Sequence, residues 1–265
     1  MNVMKTALIT LSEEGAKLLA PLAAALPETR LFVHESVREA PEAERFAQIA
    51  DLTAALFPLC RGLVYASPAG VVVRAIAPLI RNKLEDPAVV CIDAGGRWVV
   101  SLLSGHEGGA NALTIRIANI LGAEPVVTTT TEALKSVIVG IGCRRGTPAE
   151  RIVAAVRSAL ADAGVTLDEV RLLASADIKA DEAGLLAAAE ALGVPIRFIA
   201  AAEIRACLRD FSHSDLVKEK VNLPAVAEPA ALLAGRRTRY ICRKRTYNGI
   251  TIALSREVFP IHGPG

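Results

Sequence analysis

At residues 104–111 the chain reads Ser104-Gly105-His106-Glu107-Gly108-Gly109-Ala110-Asn111. The stretch follows an apolar, strand-like run and precedes a run in which Leu113, Ile117 and Leu121 have helical spacing. Glycines at such a junction leave backbone N–H groups uncovered, and the first turn of a helix has donors without partners inside the helix. Carboxylates, phosphates and developing oxyanions are attracted to this position. The stretch therefore predicts an α/β fold and an anion-binding turn.

Strand-like runs alternate with helical patterns on both sides of this junction. The predicted strands are Val3–Thr10, Leu31–His34, Gly62–Ala66, Ala88–Ile92, Trp98–Leu102, Pro125–Val127, Lys135–Gly142, Val170–Ala174, Ile196–Ile199, Arg239–Arg243 and Gly249–Leu254. The predicted helices are Glu13–Leu26, Ala43–Leu59, Val71–Ile80, Ala110–Leu121, Ala149–Ala163, Ala180–Leu192 and Ala227–Leu233. Strands separated by helices need crossover connections, so we predict mostly parallel sheets flanked by helices.

The pattern restarts after residue 132, and 265 residues are comfortable for two domains. We predict an N-terminal α/β domain over residues 1–132 and a C-terminal α/β domain over residues 137–265, joined by a linker at 133–136. Residues 209–224 are charged and lack periodicity, so we expect a loop there.

Composition and charge exclude several classes of protein. Apolar residues make up 52% of the chain and aromatic residues 4%, so we expect a large core and no base-stacking surface. Thirty basic and 28 acidic residues give a net charge of +2, which argues against nucleic acid or a membrane surface as a partner. Five scattered cysteines favour reduced thiols. Neither a signal peptide nor a run of roughly 18–20 apolar residues is present, so we expect a cytoplasmic protein.

The glycine cluster around His106 admits two interpretations. In one, the glycines only make a tight turn and the imidazole is solvated. In the other, the turn binds an anionic substrate beside a titratable base, through Ser104, Gly105, Gly108, Gly109 and Asn111. We favour the second, because a turn needs one or two glycines and ligands of α/β sheets collect at the carboxyl ends of strands. The stretch is neither a dinucleotide-binding fingerprint nor a phosphate loop.

Two other junctions of the first half carry polar groups. Ser67 and Gly70 follow a predicted strand and open a helix, at what we expect to be the sheet edge of His106. Plain helix capping is an equally good interpretation of them. Asp93 precedes two glycines, where ordinary turn chemistry outweighs a role in orienting His106.

Thr128 and Thr129 follow the last predicted strand of the first half. Their side chains suit β-structure, and their hydroxyls also suit an anionic ligand. The strand interpretation is slightly the better of the two, but we keep both residues as candidates for substrate binding.

The second half repeats the design at residues 140–147, Gly-Ile-Gly-Cys-Arg-Arg-Gly-Thr. Arg144 and Arg145 lie in a glycine loop at a predicted helix start, and guanidinium groups bind carboxylates bidentately. Lys179 follows the next strand, where a cation at the positive end of a helix suggests a bound anion. Cys143 has no histidine beside it in this loop, so we interpret it as structural.

With these motifs, the chain resembles the CbiG family, the cobalt-precorrin-5A hydrolases of anaerobic cobalamin biosynthesis, and its second half resembles the CobE-type domain. The matching stretches are SPAGVVVRAIAP (67–78), SGHEGGAN (104–111), VVTTTTEA (126–133), GIGCRRGT (140–147), ASADIKADEAGL (174–185) and VAEPAALLA (226–234). They span most of the chain. One departure is that many family members carry a middle segment between the halves, where this chain has only about half a dozen residues.

The resemblance implies hydrolysis of a ring-contracted cobalt tetrapyrrole: water opens the δ-lactone of cobalt-precorrin-5A, acetaldehyde leaves and cobalt-precorrin-5B results. Such an attack needs a base and oxyanion donors. His106 is the predicted base, since a histidine titrates ordinarily at a pKa of about 6.5. Glu107 is the second predicted catalytic residue, and the amides of Gly108 and Gly109 are the predicted seat for the oxyanion or a carboxylate.

The resemblance also bears on cofactors and partners. We expect no cofactor and no protein metal site, because the cobalt is carried by the tetrapyrrole substrate. Its acetate and propionate groups need several anion seats, which the strand-to-helix junctions and the basic residues would supply. Neighbouring enzymes of the cobalamin pathway are candidate partners, whereas nucleic acid and membranes are not. The sequence is compatible with a homodimer.

Two other functions stay open. A non-catalytic carrier that binds and hands on a corrinoid intermediate would need the same anion seats and no base. A phosphotransferase or nucleotide-binding enzyme would use glycine loops at helix starts. The latter ranks third, because the chain lacks a phosphate loop with lysine and a paired-aspartate metal site.

Overall fold

A computed structural model describes residues 5–40, 42–209 and 225–258. The chain divides into two compact units, Met1–Thr129 and Thr130–Gly265. Each unit is an α/β domain with a mostly parallel sheet flanked by helices, which confirms the predicted fold class. No helix in the described ranges combines the length and apolar character that a membrane crossing needs.

The first unit is built on a seven-stranded sheet. Its strands are β1 (Thr6–Thr10), β2 (Thr29–His34), β3 (Glu44–Phe46), β4 (Gly62–Ala66), β5 (Ala88–Ile92), β6 (Trp98–Leu103) and β7 (Glu124–Val126). Its helices are α1 (Glu13–Ala25), α2 (Ile49–Leu56), α3 (Ala69–Ile76) and α4 (Ala110–Leu121). The strand order is β3-β2-β1-β4-β5-β6-β7, and all neighbours are parallel except β5 and β6.

Alternating side chains of the central strands fill a core on each face of this sheet. Leu8 and Val64 belong to the core that includes residues of α1 and α4. Ile9 and Tyr65 belong to the core on the side of α2 and α3. Successive side chains of a strand point to opposite faces, so strands covered on both faces are apolar throughout. This explains the uninterrupted apolar runs by which the sequence predicts β4 and β5.

The reversal between β5 and β6 decides where the glycine-rich turn lies. Val89 pairs with Leu103 and Ile92 with Val99, so β6 ends at the sheet edge where β4 and β5 begin. The hairpin between the two strands is closed by Asp93, whose carboxylate accepts the N–H groups of Gly95, Arg97 and Trp98 at 3.1, 2.8 and 2.7 Å. This confirms the turn role of Asp93. These hydrogen bonds engage the Asp93 carboxylate at the sheet edge opposite to that of His106, so it does not orient His106.

Replacing Asp93 by asparagine should make stability less dependent on pH. Burial opposes ionisation of Asp93, but the three backbone N–H groups outweigh it and lower the pKa below the ordinary 3.8. The stabilisation is therefore complete above pH 3.8 and is lost as the pH falls through the lowered value in the folded protein. We expect Asp93→Asn to cost about 1 kcal/mol at neutral pH and progressively less in acid. Urea unfolding across pH checks this, and a difference that stays constant with pH contradicts it.

The second unit has a five-stranded sheet of order β10-β9-β8-β12-β11. Its strands are β8 (Val137–Gly142), β9 (Val170–Ala176), β10 (Ile196–Ile199), β11 (Thr238–Tyr247) and β12 (Ile250–Glu257). Its helices are α5 (Thr130–Leu134), α6 (Ala149–Asp162), α7 (Ala183–Leu192), α8 (Ala201–Ala206) and α9 (Ala227–Leu233). Strands β8, β9 and β10 are parallel, whereas β12 is antiparallel to both β8 and β11. Apolar residues of α6 and α7 form the main core with this sheet.

The predicted helix Ala43–Leu59 is wrong in its first part. Residues Glu44–Phe46 form β3, which pairs with β2 and buries Phe46, and the helix begins only at Ile49. The apolar residues of this segment have helical spacing. Pairing with β2 and burial of Phe46 nevertheless stabilise a strand more than this spacing stabilises a helix.

Other boundaries also differ from the prediction. The predicted helix Ala180–Leu192 begins at Ala183, after a 3-10 turn at Asp177–Lys179. The last two strands are longer than predicted, and the short helices α5 and α8 were not predicted. From residue 210 on, the predicted loop at 209–224 lies outside the described residues.

Candidate active site

The turn between β6 and α4 uses three of its own backbone donors at the end that enters the helix. Three N–H groups are bonded within it: Gly109 to the carbonyl of His106 at 3.3 Å, Ala110 to that of Ser104 at 3.2 Å and Asn111 to that of Gly105 at 2.8 Å. Gly109 caps α4 with φ of +84°, a conformation that favours glycine. The N–H of Gly108 has no partner among the described residues. Of the two amides predicted as an oxyanion seat, only that of Gly108 is free in this conformation.

His106 and Glu107, the predicted catalytic pair, differ in their surroundings. The His106 side chain is exposed and forms no hydrogen bond in the described part of the chain. Glu107 Oε1 accepts a hydrogen bond from Lys83 Nζ at 2.6 Å. This bond lowers the pKa of Glu107, so its carboxylate stays ionised at neutral pH and is not a proton donor. Of these two side chains, the imidazole is the one that has no hydrogen-bond partner among the described residues.

Asn111, predicted to bind substrate, instead ties the turn to its neighbours. Ser101 Oγ in β6 donates to Asn111 Oδ1 at 2.8 Å, and Asn111 Nδ2 donates to Thr129 Oγ1 at 2.9 Å. The Asn111 side chain is buried, and its amide is already engaged on both sides. The structure thus gives Asn111 and Thr129 a positioning role, in which they hold the start of α4 against β6 and the segment after β7.

Replacing Asn111 by alanine should destabilise the first unit. Ser101 and Thr129 would each lose a buried hydrogen-bond partner, which we expect to cost about 2 kcal/mol of unfolding free energy. Urea unfolding of the full chain measures this. Thr128→Ala is the matched control, because Thr128 is exposed and unpartnered in the described structure and its loss should change stability by less than about 0.5 kcal/mol. Equal midpoints for the two variants would contradict the positioning role.

Ser104 and Thr128 present their hydroxyls differently. Ser104 has φ of +55°, and its Oγ is buried without a hydrogen-bond partner among the described residues. Thr128 is exposed at the same edge, because β7 is parallel to β6. Thr128 is thus the predicted hydroxyl that an incoming ligand can reach directly.

Ser67 and Gly70 do not lie at the edge of His106, contrary to the prediction. They follow the carboxyl end of β4, whereas the antiparallel β6 delivers His106 to the edge where β4 begins. A strand of this length spans roughly 17 Å. The cap of α3 is Pro68, so Ser67 is not its cap, and Ser67 Oγ is buried without a described partner. The Gly70 carbonyl accepts a hydrogen bond from Arg74 Nη1 at 3.0 Å.

In the second unit the two predicted motifs meet at the carboxyl edge of the parallel strands. Residues 143–148, here called the arginine loop, follow β8, and the start of α7 follows β9. The Gly146 N–H donates to Glu182 Oε1 at 2.9 Å, and the Glu182 side chain is buried. Gly184 passes so close that a Cβ on it would lie 2.0 Å from the carbonyl oxygen of Thr147. The start of α7 therefore fixes the arginine loop.

Lys179 has a different partner from the predicted substrate anion. Its Nζ lies 3.7 Å from Glu182 Oε2, and the two side chains are only 12% and 6% exposed. A buried carboxylate needs a counter-charge, which Lys179 supplies for Glu182. Burial raises the pKa of the adjacent Cys143 thiol, so it stays protonated at neutral pH, in agreement with a structural role.

Arg144 and Arg145 border a cavity of about 290 Å³. Arg145 Nη1 contacts Asp181 Oδ2 at 3.0 Å, and its Nη2 donates to the Ile178 carbonyl at 2.9 Å. Arg144 is exposed, and its guanidinium has no partner in the described ranges. The two arginines thus offer one free and one engaged cation to the same cavity, which suits a carboxylate ligand.

Sequence reasoning missed a third arginine of this cavity, Arg151 in the first turn of α6. Asn248 and Gly249, at the tip of the β11–β12 hairpin, line the cavity as well. Arg151 Nη2 donates to the Asn248 carbonyl at 2.5 Å. Lys179 was predicted because it is a cation near the positive end of a helix. Arg151 lies in the first turn of α6, so the same criterion would also have selected it. Among the described residues, no group of three His, Cys, Asp or Glu side chains is placed to hold a metal ion.

Comparison with known proteins points to one pathway. The family model described as "Cobalamin synthesis G N-terminal" matches residues 51–132, and the model described as "Cobalamin synthesis G C-terminus" matches residues 137–255. Cobalt-precorrin-5A hydrolase of Salmonella typhimurium (strain LT2) is 44% identical over 135 residues, which are 50% of this chain and 38% of that protein. The chain therefore aligns with well under half the length of this curated relative.

Protein CobE of a Sinorhizobium species is 41% identical over 128 residues, 48% of this chain and 83% of that protein. A crystal structure of CobE, described as a protein from the cobalamin (vitamin B12) biosynthetic pathway, is 38% identical and covers 46% of this chain and 92% of its own, with a TM-score of 0.43. Because the two family models together match most of the chain and the relation to CobE extends over most of that protein, this chain belongs to the CbiG/CobE family of cobalamin-synthesis proteins.

Proposed function

We propose that this protein is a cobalt-precorrin-5A hydrolase, which opens the δ-lactone of its substrate with water and releases acetaldehyde to give cobalt-precorrin-5B. The observation that carries the proposal is the turn at 104–111, where an exposed imidazole lies beside an unpaired backbone N–H. The family membership and the name of the Salmonella relative support the same reaction.

The turn can supply the two groups that lactone hydrolysis requires. His106 is the general base: its free imidazole takes a proton from water as the water oxygen bonds to the lactone carbonyl carbon. The Gly108 N–H is a donor for the oxygen on which negative charge develops. The ring C–O bond then breaks, and the leaving oxygen takes the proton back from His106, which leaves a carboxylic acid and an alcohol. When the alcohol loses its O–H proton, the bond between its carbon and the macrocycle breaks and acetaldehyde departs. The electron pair of that bond stays on the macrocycle carbon, which takes up a proton.

The arginine cavity of the second unit is the proposed seat for a peripheral carboxylate. Arg144 offers an unpaired guanidinium, and Arg145 is held in place by Asp181. Both ions are exposed, so their pairing is weak and a substrate carboxylate can replace that of Asp181. The cobalt ion belongs to the substrate in this proposal, and no step uses a metal held by the protein.

Incubation of the full chain with cobalt-precorrin-5A tests the proposed reaction. Acetaldehyde formation is followed by an aldehyde reductase that oxidises NADH, with heat-denatured protein as the control. Release of one equivalent of acetaldehyde per substrate supports the hydrolase. Unchanged substrate in the presence of folded protein would overturn it.

A corrinoid carrier is the second candidate function. It is favoured by the exposed position of His106, whose imidazole makes no hydrogen bond to a carboxylate in the described structure. A carrier would bind the intermediate tightly without forming acetaldehyde, and replacement of His106 would leave binding and complementation unchanged. The same assay therefore separates the two functions.

A further inference from the structure

We propose that the groove between α6 and the β11–β12 hairpin binds the macrocyclic ring of the cobalt tetrapyrrole, and that the neighbouring arginine cavity holds one of its peripheral carboxylates. The groove, here called the ring groove, has a volume of about 430 Å³. The identity of the ligand rests on the proposed function, whereas the position of the ring is inferred from the contacts described next.

Small side chains open the ring groove on the helix side. Ala154, Ala155 and Ser158 lie on one face of α6, at the spacing of successive helical turns, and line the groove. Side chains longer than these would close the space between helix and hairpin. The helix side of the groove is therefore lined here by small, uncharged side chains.

Tyr247 forms the opposite wall and is held in place before any ligand arrives. Its hydroxyl donates to Asp162 Oδ2 at 2.9 Å, and Arg245 Nη1 lies 3.8 Å from the same carboxylate oxygen. Burial and the hydrogen bond to Asp162 raise the pKa of Tyr247, which keeps the phenol neutral. A fixed, neutral aromatic side chain suits a planar conjugated ring, which packs on aromatic groups.

The ring groove and the arginine cavity adjoin each other. Arg151 and Asn248 line both of them and are hydrogen-bonded to each other at 2.5 Å. A ligand in the groove that extends past this pair meets Arg144 and Arg145. Against these three arginines, Glu150 is the one acidic residue that lines either space. A neutral groove that ends in a cationic cavity matches a macrocycle with carboxylates at its rim.

Filling the groove tests its role. Ala154→Trp places a large side chain in it, and Ala154 is exposed, so the fold should tolerate the change. Ala187→Trp, at an exposed position of α7 that lines neither space, is the matched control. The probe is cobyrinic acid, a cobalt corrin with free carboxylates, and its heptamethyl ester separates the ring from the charges. Titration of the full chain should give a Kd about tenfold higher for Ala154→Trp with both probes, and an unchanged Kd for Ala187→Trp.

The Arg144→Ala variant should weaken binding of the acid and leave that of the ester unchanged. The ring groove is not the site if Ala154→Trp binds both probes with the same Kd as Ala187→Trp. The same holds if the two variants have equal KM values for cobalt-precorrin-5A. A third outcome separates the two proposals: the wild type binds cobyrinic acid, Ala154→Trp weakens that binding, and no acetaldehyde is released. This result would support the ring groove and overturn the proposed hydrolase function. Equal displacement of the ester by inorganic phosphate would indicate a general anion site and overturn the ring assignment. A wild type that neither binds nor reacts overturns both proposals.

Discussion

Replacement of His106 by glutamine is expected to lower the rate of acetaldehyde release by about a hundredfold to ten-thousandfold, with little change in stability. A positioned general base contributes a factor of this size, and glutamine cannot take up a proton at neutral pH. The imidazole is exposed and makes no hydrogen bond to the described residues, so its removal leaves no partner unpaired. Single-turnover measurement of acetaldehyde, alongside urea unfolding, checks both parts of the expectation.

Two further variants make the test specific for proton transfer. His34→Gln is the matched control, because His34 lies in β2 and its ring nitrogens contact Ser36 Oγ at 2.7 Å and the Ala47 carbonyl at 3.2 Å. We expect this variant to keep turnover even if its stability falls. His106→Ala should regain part of its activity with added imidazole, since the position is open to solvent. Full activity of His106→Gln would remove His106 from the mechanism, while the family membership would stand.

The fold class could be predicted from the sequence because strands that are buried on both faces consist of uninterrupted apolar residues. Strands β4, β5 and β10 and the helices α4 and α9 have the predicted bounds. Glycines flank α4 on both sides, and a proline directly precedes β5 and β10. The prediction was wrong for the first part of the helix Ala43–Leu59, because residues 44–46 pair with β2. The local spacing of apolar residues does not indicate such a pairing.

The direction of β6 limited what could be predicted of the site. Residues 93–97, with two glycines, join β5 to β6 as a hairpin, and a hairpin reverses the chain. The prediction that Ser67 and His106 share one sheet edge did not take this reversal into account. With it, His106 is expected at the opposite edge, where the structure has it. The engagement of Asn111 and of Lys179 could not be predicted, because their partners Ser101 and Glu182 are common polar residues that no motif singles out.

The separate arginines of the loop should respond differently to replacement, although they are adjacent in sequence. Arg144→Ala is expected to raise KM by about tenfold to a hundredfold and to leave kcat nearly unchanged, because it removes a charged contact that substrate and transition state share. Arg145 also fastens the arginine loop to Asp181 and to the Ile178 carbonyl. Arg145→Ala should therefore raise KM and also lower the resistance of the loop to proteolysis.

Asp181→Asn provides the sharpest measurement on this loop. Asp181 competes with a substrate carboxylate for Arg145, and the pKa of Asp181 is lowered by its hydrogen bond from that arginine. Without the competing charge, Arg145 can turn to the ligand, so KM should fall by a few-fold and kcat should stay constant. Combining Asp181→Asn with Arg145→Ala should abolish the gain, since the freed cation is then absent. A KM that rises in Asp181→Asn would mean that Arg145 must be held by Asp181 to bind at all, and a pure loss of kcat in Arg144→Ala would move this loop from substrate binding to the chemical step.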